Sequence, residues 1–372
     1  MSFPGRKIRV LIVDDSVIAC KILSETLSLD PGIEVAGTAL SGAIALSRLS
    51  AVDPDLVMVD LDMPVMDGLQ TLLEIKKIRP KLPVIMCSSL FAPGNRHAMQ
   101  ALLGGAADWV AKPSAHMNGG GLVAFAGDLS GKIKSIFGSK TIPGSVPVPA
   151  AAPMAAVPAR DFGGKPRGVP EILAIGVSTG GPQALMELLP RFPADFPAPI
   201  VIVQHMPPLF TKSLAVSIGG KSRIKVEEGV EGRRLEPGQA WIAPGGFHMQ
   251  VVKRKGGREL VLNSDEPVNS CRPSVDVLFH SVVEAFGSKV LAVVLTGMGQ
   301  DGLAGAEAVR RAGGTVFVQD QASSVVWGMP GMIAKTGLAD KIVPLADLPH
   351  EIQAVFSKKP PAATLQQPRL ET

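Results

Sequence analysis

The chain has 372 residues, room for two domains with separate cores, and 46% hydrophobic against 19% charged residues excludes a disordered chain. A formal charge of +4 over this length argues against a dedicated nucleic-acid binder, which concentrates a basic face. The three cysteines, Cys20, Cys87 and Cys271, are odd in number and far apart; they match neither a disulfide nor a metal-ligand spacing and point to a reducing compartment.

The N-terminal RKIRVLIV stops at Asp14-Asp15, too short for a secretory signal core, and no apolar run approaches a membrane span. A cytoplasmic protein without membrane insertion is expected. IRVLIVD (8–14) reads as a buried strand and SVIACKILSETLSLD (16–30) as an amphipathic helix. IEVAGTA, DLVMVD, LPVIMCS and DWVAKP then recur with helical patterns between them, which predicts βαβ units and a parallel sheet. Residues 138–168 are rich in Pro, Ala and Gly without apolar periodicity and read as a linker. As a flexible coil it spans roughly 30 Å, and up to roughly 95 Å as extended polyproline.

After the linker the strand pattern restarts with EILAIGV, PIVIVQH, KVLAVVLTG and GTVFVQD. Residues 224–263, with AWIAPGG, HMQVVKR and ELVLN, read as an antiparallel β excursion. The predicted fold class is α/β, with two open parallel-sheet domains, the first flavodoxin-like and the second doubly wound. The predicted organisation is one domain over 1–137, the linker over 138–168, a second domain over 169–357 and a disordered tail over 358–372. Nothing in the sequence demands more than a monomer.

In the first half, Asp14 and Asp15 end one predicted strand and Asp60 ends another, so their carboxylates converge at the crevice edge of an open sheet. Such a cluster calls for a hard cation, and Mg²⁺ fits oxygen ligands and phosphate. Ser88 and Lys112 follow two further strands and suit a phosphoryl group at the same edge. Taken singly, the aspartates are also helix caps and Lys112 a surface charge. The motifs VDDS (13–16), VDLDMPVMDGL (59–69), CSS (87–89) and AKP (111–113) together resemble a two-component receiver domain over about residues 7–128. The resemblance implies that Asp60 accepts the phosphoryl group and that Asp15, Asp60 and the backbone carbonyl of Asp62 hold Mg²⁺. It implies further that Asp14, Ser88 and Lys112 act around the phosphoryl group, and that a histidine kinase is the phosphodonor. Trp109 stands where the family has a Tyr or Phe switch; plain core packing is the alternative for it.

In the second half, Gly176-Val177-Ser178-Thr179-Gly180 fits the G-x-S-x-G turn that exposes a nucleophile between strand and helix. A Gly-rich loop opening a helix also suits a phosphate, so a receiver-linked nucleotide- or phosphate-binding module is the alternative. Against it, neither G-x-G-x-x-G nor G-K-[ST] occurs there. A serine nucleophile needs a base and an orienter. His205 ends the strand PIVIVQ and Asp301 lies in LTGMGQDG after KVLAVVL, so Ser, His and Asp each follow a strand of one sheet. His280 reads as a partly buried structural residue of a helix, and His248, in the β excursion, has no clear sheet-edge position. Backbone N–H groups at Thr179 or Met298 are candidate oxyanion donors. The order Ser, His, Asp differs from the Ser, Asp, His of the α/β-hydrolases.

The segments IGVSTGGP, VIVQHMPPLFTKSLA, WIAPGGFHM, VNSCRPSVDVLFHSV, VVLTGMGQDGLAG and VVWGMPG are similar to the catalytic domain of the chemotaxis protein-glutamate methylesterases, over about residues 170–355. That resemblance implies Ser178 as nucleophile, His205 as general base and Asp301 as its orienter. It implies hydrolysis of γ-glutamyl methyl esters on chemoreceptors, deamidation of receptor glutamines in some members, and no cofactor for the ester chemistry. Gln300 stands where the family often has Asn. Arg272 reads either as a contact for acidic receptor helices or as a structural ion pair. A receiver joined through a long linker suggests that it covers the second crevice until Asp60 is phosphorylated. A transcriptional regulator would need a basic recognition helix after the linker, which the strand-rich second half lacks.

Overall fold

The structure, a computed structural model, describes residues 6–88, 96–112, 119–138, 168–208 and 210–357. The predicted linker, apart from its end residues, and the predicted tail lie outside the described residues.

The first sheet contains β1 (Ile8–Val13), β2 (Ile33–Ala39), β3 (Leu56–Asp60), β4 (Val84–Ser88) and β5 (Asp108–Ala111). All its pairings are parallel, in the order β2-β1-β3-β4-β5. Helices α1 (Val17–Ser28), α2 (Gly42–Val52), α3 (Gly68–Ile78), α4 (Arg96–Leu103) and α5 (Gly119–Gly138) connect or follow these strands. Apart from Arg9 and the terminal Asp60 and Ser88, β1, β3 and β4 are apolar throughout, the pattern of strands covered on both faces. Ser16 stops the first strand because its hydroxyl accepts the Ala19 N–H as the cap of α1. The chain reverses direction across the sheet between β1 and β3, so the crevice at their carboxyl ends opens where Asp14, Asp15 and Asp60 stand.

The second sheet has seven strands: β6 (Ile172–Val177), β7 (Ile200–Gln204), β8 (Lys225–Glu228), β9 (Gln239–Ile242), β12 (Val290–Val294), β13 (Thr315–Gln319) and β14 (Lys341–Val343). Their order is β14-β13-β12-β6-β7-β9-β8, again with parallel pairing throughout. The antiparallel part is smaller than the sequence suggests. Among the described residues, only β10 (His248–Arg254) and β11 (Gly257–Asn263) form an antiparallel hairpin, while AWI belongs to β9 of the main sheet. The alternation of a short strand does not tell which partner it meets; the register Ile200 to Ala240 settles it.

Helices α6 (Gly181–Leu188), α7 (Phe210–Gly219), α8 (Val275–Phe286), α9 (Leu303–Arg311), α10 (Met329–Lys335) and α11 (Leu348–Phe356) flank this sheet. The chain leaves β6 toward β7 and later returns on the other side at β12, so the direction reversal falls at β6. The carboxyl ends of β12, β6 and β7 lie side by side there.

The two halves touch. Trp109 of β5 stacks on Phe210 of α7, ring centroids 5.1 Å apart. Gln183 Nε2 of α6 donates to the carbonyls of Leu102 (3.1 Å), in the last turn of α4, and Ala106 (2.7 Å), between α4 and β5. Thr179 Oγ1 donates to Asp108 Oδ2 at 2.6 Å, and the Gly180 N–H to the Ala107 carbonyl at 3.1 Å.

Candidate active site

Each of the three central strands of the second sheet delivers one predicted residue. Val177 ends β6 and Ser178 follows, its N–H bonded to the Thr296 carbonyl at 3.0 Å. The next turn needs glycine: Gly180 has φ +79°, and a Cβ there would stand 2.6 Å from Val325 Cγ2. Gln204, the last residue of β7, donates from Nε2 to the Ser178 carbonyl at 3.0 Å and so ties the end of one strand to the loop after another.

His205 and Asp301 meet as expected. His205 Nε2 lies 2.8 Å from Asp301 Oδ2. Asp301 is 2% exposed, yet its carboxylate is not starved of donors. Besides His205, the Val275 N–H reaches Oδ2 at 2.6 Å. Ser274 Oγ (2.8 Å), Asn269 Nδ2 (3.0 Å) and the Asp276 N–H (3.2 Å) reach Oδ1. Two of these donors are free N–H groups in the first turn of α8, where the helix dipole also favours an anion.

The charges of the pair follow from this surrounding. Burial pushes the Asp301 carboxyl up; the hydrogen bond and charge of His205 and the Val275 and Asn269 donors outweigh it and bring it down to about 2. Burial likewise pulls the His205 imidazole down, but Asp301 and the Cys271 thiol outweigh it and push it up to about 9. With Nε2–H donated to Asp301, the neutral ring presents Nδ1 as its acceptor. Cys271 Sγ stands 3.7 Å from that Nδ1. No hydrogen bond joins Ser178 Oγ to His205 among the described residues.

The candidate oxyanion donors have suitable freedom. Among the described residues, neither the Thr179 nor the Met298 N–H is used in a hydrogen bond. Thr296 Oγ1 holds the Thr179 carbonyl at 2.8 Å, fixing the direction in which that peptide points.

Other histidines take structural places. His248 is buried between the Glu266 carbonyl (3.1 Å) and the Ser274 N–H (3.2 Å). His280 lies on the outer face of α8, its Nδ1 2.7 Å from the Asp276 carbonyl. Arg272 spends Nη1 on the carbonyls of Ser264 and Asp265, at 2.8 and 3.0 Å, a tie to backbone oxygens and not the ion pair of its structural reading. Gln300 is exposed.

At the edge of the first sheet, Lys112 Nζ bridges Asp14 Oδ2 (2.6 Å) and Asp60 Oδ1 (2.9 Å). Carboxylate oxygens of Asp14, Asp15 and Asp60 lie within 4.8 Å of one another, a donor set that fits a hard divalent cation. Burial pushes the Asp60 carboxyl up, only partly opposed by Lys112 and helped by the charge of Asp14. Ser88 is buried at the end of β4. Asp15 and Asp62 are exposed, and the Asp62 N–H bonds to Asp60. Trp109 is half-buried, packs against the core and stacks on Phe210 of the other half of the molecule.

Sequence reasoning missed Asn269, Ser274 and Gln204, which orient the site without reacting. Asn269 and Ser270 have positive φ (52° and 61°), and Asn269 Nδ2 bridges Asp276 Oδ2 and Asp301 Oδ1. For Asn269 and Ser274 the signal was the position of NSCRPS just before an apolar helix, where Ser and Asn act as caps.

Residues 173–352 match the family model described as CheB methylesterase, and residues 10–118 the one described as response regulator receiver domain. Three relatives bear the name protein-glutamate methylesterase/protein-glutamine glutaminase. The one from Trichodesmium erythraeum is 46% identical over 93% of this chain and 98% of its own. That from a Nocardioides species is 43% identical, covering 96% and 98%, and that from Azospirillum brasilense 40% identical, covering 95% and 94%. The chain therefore belongs to the CheB methylesterase family, with a response regulator receiver domain ahead of the esterase.

Proposed function

We propose that the chain hydrolyses glutamate γ-methyl esters on chemoreceptors, and deamidates receptor glutamines, with Ser178 as nucleophile, His205 as base and Asp301 as orienter. The observation that carries this reading is the 2.8 Å contact between His205 and a buried aspartate held by five donors, on strands flanking the Ser178 strand. The His205 Nδ1 lone pair takes the Ser178 proton as Oγ attacks the ester carbonyl. The negative oxygen that results is met by the Thr179 and Met298 N–H groups. The imidazolium, stabilised by Asp301, gives its proton to the leaving methoxide, or in the amide reaction to the leaving nitrogen, which departs as ammonia. Water then attacks the acyl-serine, His205 takes its proton, and glutamate leaves as Oγ is reprotonated.

The receiver reading assigns phosphoryl acceptance to Asp60. Mg²⁺ held by Asp15, Asp60 and the Asp62 carbonyl would neutralise charge during transfer. Asp14 supports that carboxylate pocket, and Ser88 and Lys112 would take the phosphoryl oxygens. Lys112 must then leave the carboxylates it bridges, which couples the edge of β4 and β5 to phosphorylation. A chemotaxis histidine kinase is the proposed phosphodonor, and a cytoplasmic monomer the proposed form. The proposed organisation is a receiver over 1–137, a linker over 138–168, an esterase over 169–357 and a tail over 358–372.

The receiver restrains the esterase in this reading, because Asp108 and Ala107 bind Thr179 and Gly180, next to the nucleophile. Full switching needs about 5.5 kcal/mol of differential stabilisation, and a smaller bias gives graded activation. The test is methanol release from a glutamate-methylated chemoreceptor by the phosphorylated protein, wild type against Ser178→Ala. Release is expected to vanish in the variant; release that survives it overturns the triad.

A further inference from the structure

The side chains around His205 suit a second kind of ligand. Cys271 Sγ, His205 Nδ1/Nε2 and an Asp301 oxygen lie within 4.8 Å of one another. Asp301 is saturated with donors, one of them the His205 Nε2–H. A carboxylate that holds one imidazole nitrogen so that the other faces outward is the usual support of a metal-binding histidine. The outward nitrogen, Nδ1, faces a thiol at 3.7 Å. Zinc bonds of about 2.3 Å to sulfur and about 2.0–2.1 Å to nitrogen, at a tetrahedral angle, place those two atoms roughly 3.6 Å apart. Cys271 is partly exposed, so solvent can reach the pair, whereas Cys20 and Cys87 are buried in the first sheet's core.

We propose that Cys271 Sγ and His205 Nδ1 form a bidentate site for zinc or a similar thiophilic divalent cation, and that occupation of this site inhibits the esterase. On binding, the thiol proton passes to solvent, the thiolate and imidazole bond the metal, and water fills the remaining positions. Asp301 stays in the outer shell. The metal then sits on the lone pair that must receive the Ser178 proton. The inhibitory part rests on the assignment of His205 as base; the binding part rests on geometry alone. With only two protein ligands the site is reversible.

Co²⁺ serves as the optical probe, added to the full-length protein with excess Mg²⁺ to occupy oxygen-ligand sites. A thiolate-to-cobalt charge-transfer band is expected for wild type, removed by Zn²⁺ and lost in Cys271→Ala. If the alanine variant folds poorly, Cys271→Ser serves, because an oxygen ligand produces no such band. In parallel, half-inhibition of methanol release is expected to need at least tenfold more Zn²⁺ in the Cys271 variant than in wild type. A wild-type protein without the band, or a band unchanged by the substitution, overturns the site. A Cys271-dependent band with undiminished methanol release overturns the inhibitory role, and with it the assignment of His205 Nδ1 as base. Loss of release in Ser178→Ala with the band intact separates the metal site from the nucleophile.

Discussion

Gln183→Ala tests how the receiver restrains the esterase. Gln183 Nε2 reaches the carbonyls of Leu102, in the last turn of α4, and of Ala106, in the segment before β5. When the halves separate, water replaces both bonds, so the substitution acts on the docked state alone. At about 1 kcal/mol net for each hydrogen bond, docking weakens by about 2 kcal/mol, or roughly thirtyfold. The Trp109–Phe210 stack and the Asp108–Thr179 bond remain, so docking is loosened and not abolished. Methanol release by the unphosphorylated protein should rise by up to that factor. Its ceiling is the rate of the phosphorylated protein, which should stay at the wild-type value because Gln183 touches no member of the triad. An unphosphorylated rate equal to wild type, with normal activation by phosphorylation, would refute the role given to this interface.

Other outcomes follow from the same geometry. His205 is raised from 6.5 to about 9 and so adds stability that is complete below about pH 6.5 and lost as pH rises through 9. Asp301 is lowered from 3.8 to about 2 and adds stability present above about pH 3.8 and lost as pH falls through 2. Between pH 6.5 and 9, thermal stability should therefore fall while kcat/KM climbs, since the base must be neutral; parallel profiles would contradict the pairing. Ser274→Ala removes one donor to the Asp301 carboxylate, worth about 1.5–3 kcal/mol for a charged acceptor, and should lower kcat about 10- to 100-fold with little change in KM. Gly297→Ala places a Cβ 2.8 Å from Ser178 Cβ and 3.1 Å from Ser178 N; kcat should fall on the order of 100-fold as the nucleophile is displaced, and a wild-type kcat would mean that Ser178 is not the reacting group.

Much of the architecture is legible in the residues themselves. Short apolar runs rich in β-branched residues and flanked by turn signals, such as ILAIGV and VLAVV, read as strands covered on both faces, and such strands pair in parallel. Polar residues placed just after those runs must stand at the carboxyl edge of the sheet. Ser178, His205, Asp301 and the acidic residues of the first half were visible for that reason. What periodicity leaves open is which strands are neighbours. That β12, β6 and β7 lie side by side, bringing the three residues together, depends on contacts 26 to 96 positions apart in sequence. The placement of AWI in the main sheet was hidden for the same reason.

The supporting contacts belong to the tertiary structure alone. Asn269 and Ser274 look like turn and cap residues by pattern; only the packing of α8 against the loop after β12 turns their donors toward Asp301. Cys271 reads as an isolated thiol until the fold sets it beside His205 Nδ1. Trp109 shows its partner only when β5 meets α7. Local sequence determines where a strand ends and what chemistry stands there, because burial and capping act over a few residues. Which ends meet, and which donors surround a buried charge, is decided by packing between distant segments, and no local pattern encodes it.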